Sequence, residues 1–220
     1  MDKTVPLTNK RLRSPRAAAV AGILFAVLLI AVLLLFRSSV PRDVLDQGAW
    51  LSADLARVVL AINLMPFAGV AFLWFIGVVR DRMGDAEDRL FATVFLGSGL
   101  LFLAMMFVAV AVFGAMVVLE VTRPGSLANS TTFALARAFA YTLVNVYAVK
   151  MAGVFMLITS TIAVRTAFVA RWMAGPGFAM ALFLLFGSQW VDWSFILFPT
   201  WALLISVYIL IGNFHHAPAT

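Results

Sequence analysis

The chain has 220 residues, 64% of them hydrophobic and only 12% charged, with a formal net charge of +6. A soluble domain carries about 25% charged residues, and the apolar residues here fall in runs of roughly twenty, the length that crosses a ~30 Å hydrocarbon core. Composition therefore predicts an all-α, polytopic transmembrane helical bundle whose first partner is the lipid bilayer, and it excludes a nucleic-acid reading of the positive charge. The absence of cysteine removes disulfides, thiolate catalysis, iron–sulfur clusters and Cys-bound zinc. The two histidines, His215 and His216, are adjacent in the C-terminal tail, so no span offers a haem ligand. No cofactor and no metal site is expected.

Residues 1–16 read as a basic cytoplasmic tail, with Lys3, Lys10, Arg11, Arg13 and Arg16 against Asp2. The apolar run 17–36 is too long for a signal peptide, and the following "RSSVPRD" lacks a small-residue cleavage site. It is read as a retained first span. Ser14, Ala18, Gly22 and Ala26 recur four apart along it, a small-residue stripe that predicts close packing inside the bundle. A polar connection, 37–57, holds Trp50, expected at the membrane interface.

The second span, 58–79, contains Asn63 and Pro66. Proline leaves the Ile62 carbonyl without its usual donor, which predicts a kink. "RDRMGDAEDR", 80–89, reads as a tight charged turn: Gly84 closes one helix, and Asp85, Glu87 and Asp88 suit the start of the next. The third span, 91–119, is followed by a polar stretch and an amphipathic lead-in, 132–141, that carries Arg137. The fourth span is 143–164. "GPG" at 175–177 is expected to break the helix after it. The apolar stretch 177–212 would reach about 54 Å as one helix, too long for one crossing. "GSQWVDW", 187–193, divides it into spans of about 172–187 and 193–212, and 213–220 forms a second cytoplasmic tail.

Six spans place both termini on one side; fusion of the last two would leave five. In the six-span arrangement ten Lys and Arg lie on the side of the termini and five on the other: Arg37, Arg42, Arg57, Arg123 and Arg137. The positive-inside rule then puts both termini in the cytoplasm of a multi-pass cell (plasma) membrane protein. No internal repeat of the kind that builds duplicated transporters is present.

The stretch "INLMPFAGVAFLWFIGVVRDRMGDAEDRLFATVFLGSGLLF", 62–102, resembles a family of uncharacterised bacterial integral membrane proteins. The marks are "FLWFIGVVRDR", then "DAEDR" and "FATVFLGSG". The resemblance implies a multi-span bacterial inner-membrane protein. It implies no activity and transfers no catalytic residue.

No phosphate loop, zinc-protease, serine-hydrolase or paired-carboxylate motif occurs. "GSG" at 97–99 lies within an apolar run and reads as helix packing. What remains is polar content within the spans, above all Lys150, an ionisable residue inside a predicted crossing and hence a candidate site. At 100° per residue Tyr147, Lys150 and Thr161 share one face of the fourth helix, while Arg137, Tyr141, Asn145 and Thr159 share another. Glu120 and Asp192, at the ends of neighbouring spans, are candidate counter-charges. Asn63 completes the candidate polar site. Lys150 has two readings: it snorkels to the interface, or it faces the bundle and lines a site for an anion or proton.

Two functions compete. One is a non-enzymatic structural or accessory bundle that binds a membrane-protein partner or a second copy of itself. The other is a small transporter or permeation protein with an outward-facing polar site around Lys150.

Overall fold

A computed structural model describes residues 15–41, 48, 50–83, 89–166, 171–191 and 193–214. Among these residues every regular element is helical: α1 (Pro15–Ser39), α2 (Trp50–Ala53), α3 (Leu55–Met83), α4 (Arg89–Thr122), α5 (Thr131–Thr142), α6 (Val149–Thr166), α7 (Arg171–Leu182) and α8 (Leu197–Phe214). The protein is an all-α membrane helical bundle. Five stretches are long and apolar enough to cross a bilayer: Ala19–Ser39, Leu55–Arg80, Arg89–Thr122, Thr131–Arg165 and Ser194–Ile211. The sixth long element is α7 with a π-helical continuation, Phe183–Gly187, together reaching about 25 Å at the helical rise.

Neighbours in sequence are neighbours in space. α1 packs on α3 and α8, α3 on α4, α4 on α5 and α6, α6 on α7, and α8 returns to α6 and α7. Alternating directions bring the end of α1, the starts of α3 and α5, and the start of α8 to one end of the bundle. Contacts fix this: the Arg137 guanidinium donates to the Pro41 carbonyl, and Arg37 lies 5.1 Å over the Trp193 ring. At the opposite end Arg165 sits 4.5 Å over Phe91.

The centre is aromatic. Phe72 of α3 meets Phe25 of α1, Phe102 of α4, Phe155 of α6 and Phe198 of α8, with ring centroids 4.5, 5.5, 5.4 and 5.8 Å away. Lipid tails are as apolar as these rings, so burial from water does not drive their association. Packing and ring geometry do, and the tilted and edge-on pairs are the favoured arrangements. Close helix approach comes from small residues. A Cβ on Gly22 would stand 2.0 Å from Ser206 Oγ and 2.8 Å from the Phe75 ring, so the small-residue stripe faces α8 and α3 at this point. Ala26 is fully buried beside it, while the side chains of Ser14 and Ala18 lie outside the described residues. In "GSG", Gly99 abuts Ile76 and Phe155, but a Cβ on Gly97 would meet open space.

Trp50, at the end of the bundle, is buried: with Leu51 it inserts α2 against Phe113 and Phe133, capping that end. Two expectations change. Gly175–Pro176–Gly177 does not end a helix but lies within α7. Pro176 is the sixth residue of α7 and removes one intrahelical hydrogen bond without ending the helix, and Gly177 lets α7 approach Ser160 and Trp201. The lead-in 132–141 and the fourth span form one rod, Thr131–Arg165, joined through a π turn. The residues assigned to the charged turn, Gly84, Asp85, Glu87 and Asp88, lie outside the described residues.

Candidate functional site

Lys150 opens α6, directly after the π-helical turn Leu143–Ala148. Its Nζ donates to the backbone carbonyl of Leu185 at 2.6 Å, and the side chain is half-buried. Leu185 belongs to the π turn Phe183–Gly187, in the last stretch of that span. Helix ends leave carbonyls without intrahelical donors, and their partial negative charge favours a cation. Lys150 therefore caps a neighbouring helix across the interface. This contact is neither a snorkel to water nor a carboxylate pair.

The remaining candidates are largely used by their own helices. Asn63 Nδ2 donates to Val59 O at 2.8 Å, Asn145 Nδ2 to Tyr141 O at 3.0 Å, and Thr161 Oγ1 to Leu157 O at 2.9 Å. Thr159, fully buried, donates to Phe155 O at 2.7 Å. Tyr147 points outward, 55% exposed. Glu120 Oε1 accepts the Gly125 N–H at 3.0 Å, so the carboxylate staples the turn after α4. Its Oε2 is buried without a hydrogen-bond partner. Asp192 lies outside the described residues.

A π turn interrupts the helical wheel on which these residues are grouped. In the π turn the Val149 N–H bonds to Val144 O, five residues back, so an extra residue enters the turn and offsets everything before it. Tyr147 sits inside that turn and is exposed, while Lys150 just after it is half-buried.

The same π turn borders a cleft of about 250 Å³ at the Arg37–Arg137 end. Its back is Met106, Val110 and Phe113 of α4; one wall is Leu33, Phe36 and Arg37 of α1; the other is Arg137, Tyr141, Val144 and Asn145. Phe195 adds to the lining. A smaller cavity of about 10 Å³ adjoins it, sharing Leu33, Met106, Val144 and Phe195, and leads to Phe102 and Phe198 of the aromatic centre. Of the sequence-named residues only Tyr141 and Asn145 reach the cleft, together with Arg137.

No known family, curated protein or solved structure matches this chain. The resemblance read in residues 62–102 thus carries no further weight, and the chemistry rests on the site itself.

Arg37, Pro41 and Phe195 were not singled out from the sequence. Arg37 ends the first span and Trp193 begins the last, so an Arg–aromatic contact between spans meeting at one end was the available signal. Among the described residues no group of three His, Cys, Asp or Glu gathers in metal-binding range.

Proposed function

We propose that this chain is a non-catalytic accessory protein of the bacterial cell membrane, with both termini cytoplasmic, that holds or stabilises a membrane-protein partner or a second copy of itself. The observation that supports this most directly is the use of intramembrane polar groups. Lys150, Asn63, Asn145, Thr159 and Thr161 all donate to backbone carbonyls of the bundle. Lys150 alone reaches across to another helix and ties two of them, while the other four are satisfied within their own helices; a transport path needs polar groups turned toward a solute. The ten-to-five Lys and Arg bias supports the orientation.

A second reading has one observation in its favour. Lys150 joins two π-turn segments, and such turns are frequent at functional sites. A permeation protein with an outward-facing site around Lys150 is that alternative.

Purification from native membranes in mild detergent separates the two. A second polypeptide in fixed stoichiometry, or a dimer that survives dilution, supports the accessory role. A lone chain that moves protons or anions in proteoliposomes, and loses flux in Lys150→Met, overturns it.

A further inference from the structure

We infer that the cleft between α1, α4 and α5 is a binding site for one acyl chain of an anionic glycerophospholipid, whose phosphate is held by Arg37 at the mouth. The inference is independent of whether the protein is an accessory bundle or a permeation protein.

Three features argue for this occupant. The first is shape. At about 250 Å³ the cleft falls just under the ~300–1,000 Å³ usual for small-molecule pockets, which suits part of a lipid rather than a whole soluble ligand. Its wall from Arg137 to Asn145 spans about 12 Å along the helix rod, so the site is long and narrow.

The second is the polarity gradient. Leu33, Met106, Val110 and Val144 line the depth, and the smaller cavity continues apolar to Phe102 and Phe198. The arginines, Arg37 and Arg137, belong to the elements that meet at the bundle end, with Tyr141 and Asn145 about one and two turns further along the same rod. An apolar chain with an acidic head matches that order.

The third is charge and preorganisation. Among the described residues the lining includes two arginines and no carboxylate. The Arg37 guanidinium is held over the Trp193 ring, and Arg137 is anchored to the Pro41 carbonyl. A planar guanidinium fixed in this way presents forked donors that suit a phosphate diester. The π turn supplies the wall: its wider backbone carries Val144 and Asn145 of the lining.

The test uses the full-length protein, delipidated in detergent and returned to phosphatidylglycerol, phosphatidylcholine or inorganic phosphate. Native mass spectrometry should find one phosphatidylglycerol retained per chain, with phosphatidylcholine at least tenfold weaker. Arg37→Gln should lower phosphatidylglycerol retention about tenfold, the loss expected of one charge-assisted contact. A phosphatidylglycerol bearing a photoreactive acyl chain should label Met106, Phe113 or Val144 in preference to outward-facing Leu60 and Val118. Equal retention of both lipids, or unchanged retention in an Arg37→Gln, Arg137→Gln double variant, would overturn the inference. Full competition by inorganic phosphate, or labelling spread evenly over the outer faces, would also overturn it, because the chain would then not occupy the cleft.

Discussion

Lys150 and Leu185 are 35 positions apart in sequence, yet the ammonium of one donates to the backbone carbonyl of the other at 2.6 Å. The contact crosses from the start of α6 to the last stretch of the α7 span and ties together two helices that each contain a π turn. A hydrogen bond from a charged group contributes about 1.5–3 kcal/mol. A lysine at the bilayer centre costs about 2.5–3.5 kcal/mol on insertion scales, and less toward the interface. The two are of similar size, so the bond offsets the cost of placing the ammonium within the span.

Lys150→Met removes this interhelical donor and is expected to destabilise the bundle by about 1 kcal/mol, within the range of interhelical hydrogen bonds in membranes. Lys150→Arg, which keeps a charged donor, should retain most of the stability. Reversible unfolding in mixed micelles measures both. A methionine variant equal to or firmer than the parent would show that Lys150 braces nothing.

Glu120 offers a parallel test at the other end of the α4–α5 connection. Because its Oε1 accepts from Gly125, Glu120→Gln should preserve the turn and leave stability within about 0.5 kcal/mol, as most substitutions away from broken contacts do. Glu120→Ala should lose about 1 kcal/mol, one hydrogen bond's net worth, and quicken proteolysis between Arg123 and Ser130. If Gln and Ala behave alike, the carboxylate acts through charge and not through the staple.

Gly22 tests packing. In a helix, Gly→Ala gains about 1 kcal/mol of propensity, but overpacking costs about 1–3 kcal/mol. A Cβ 2.0 Å from Ser206 Oγ and 2.8 Å from the Phe75 ring meets atoms on two sides, so the clash dominates. Gly22→Ala should lower the melting temperature, and Ser206→Gly added to it should recover part of the loss. Additive effects in that double-mutant cycle would mean the two sites do not touch.

Much of this architecture is legible in the sequence because membrane crossing imposes length and apolarity, and both are read directly from residues. The break at "GSQWVDW" is an example: 3-10 turns at Ser188–Trp190 and Ser194–Ile196 flank extended Val191 there. The candidate site was less legible. The face shared by Tyr147 and Lys150 assumed an unbroken 3.6-residue repeat, and a π turn over Leu143–Ala148 interrupts that repeat. The burial of Trp50 was not legible because its partners, Phe113 and Phe133, lie more than sixty positions away in sequence.

Orientation can be measured with single cysteines, since the chain has no native one. Ser39 and Ser188 are buried, so Ser38→Cys, Ser126→Cys and Val191→Cys are the better outer reporters. They should react with an impermeant thiol reagent on intact cells. Gly84→Cys and Ala217→Cys should react only after permeabilisation. Outside labelling at Ala217→Cys would mean an odd number of crossings.

Phe72 gathers rings from α1, α4, α6 and α8, so the centre contains a contribution from a helix made after all the others that supply these rings. A chain emerging from the ribosome can pair α1 with α3 and α4 early, but Phe198 arrives only after every other ring is in place. Until then the rings of Phe25, Phe72, Phe102 and Phe155 lack their common neighbour. Synthesis order thus sets a late locking step: the earlier helices insert as a loose set, and entry of α8 converts them into one packed unit.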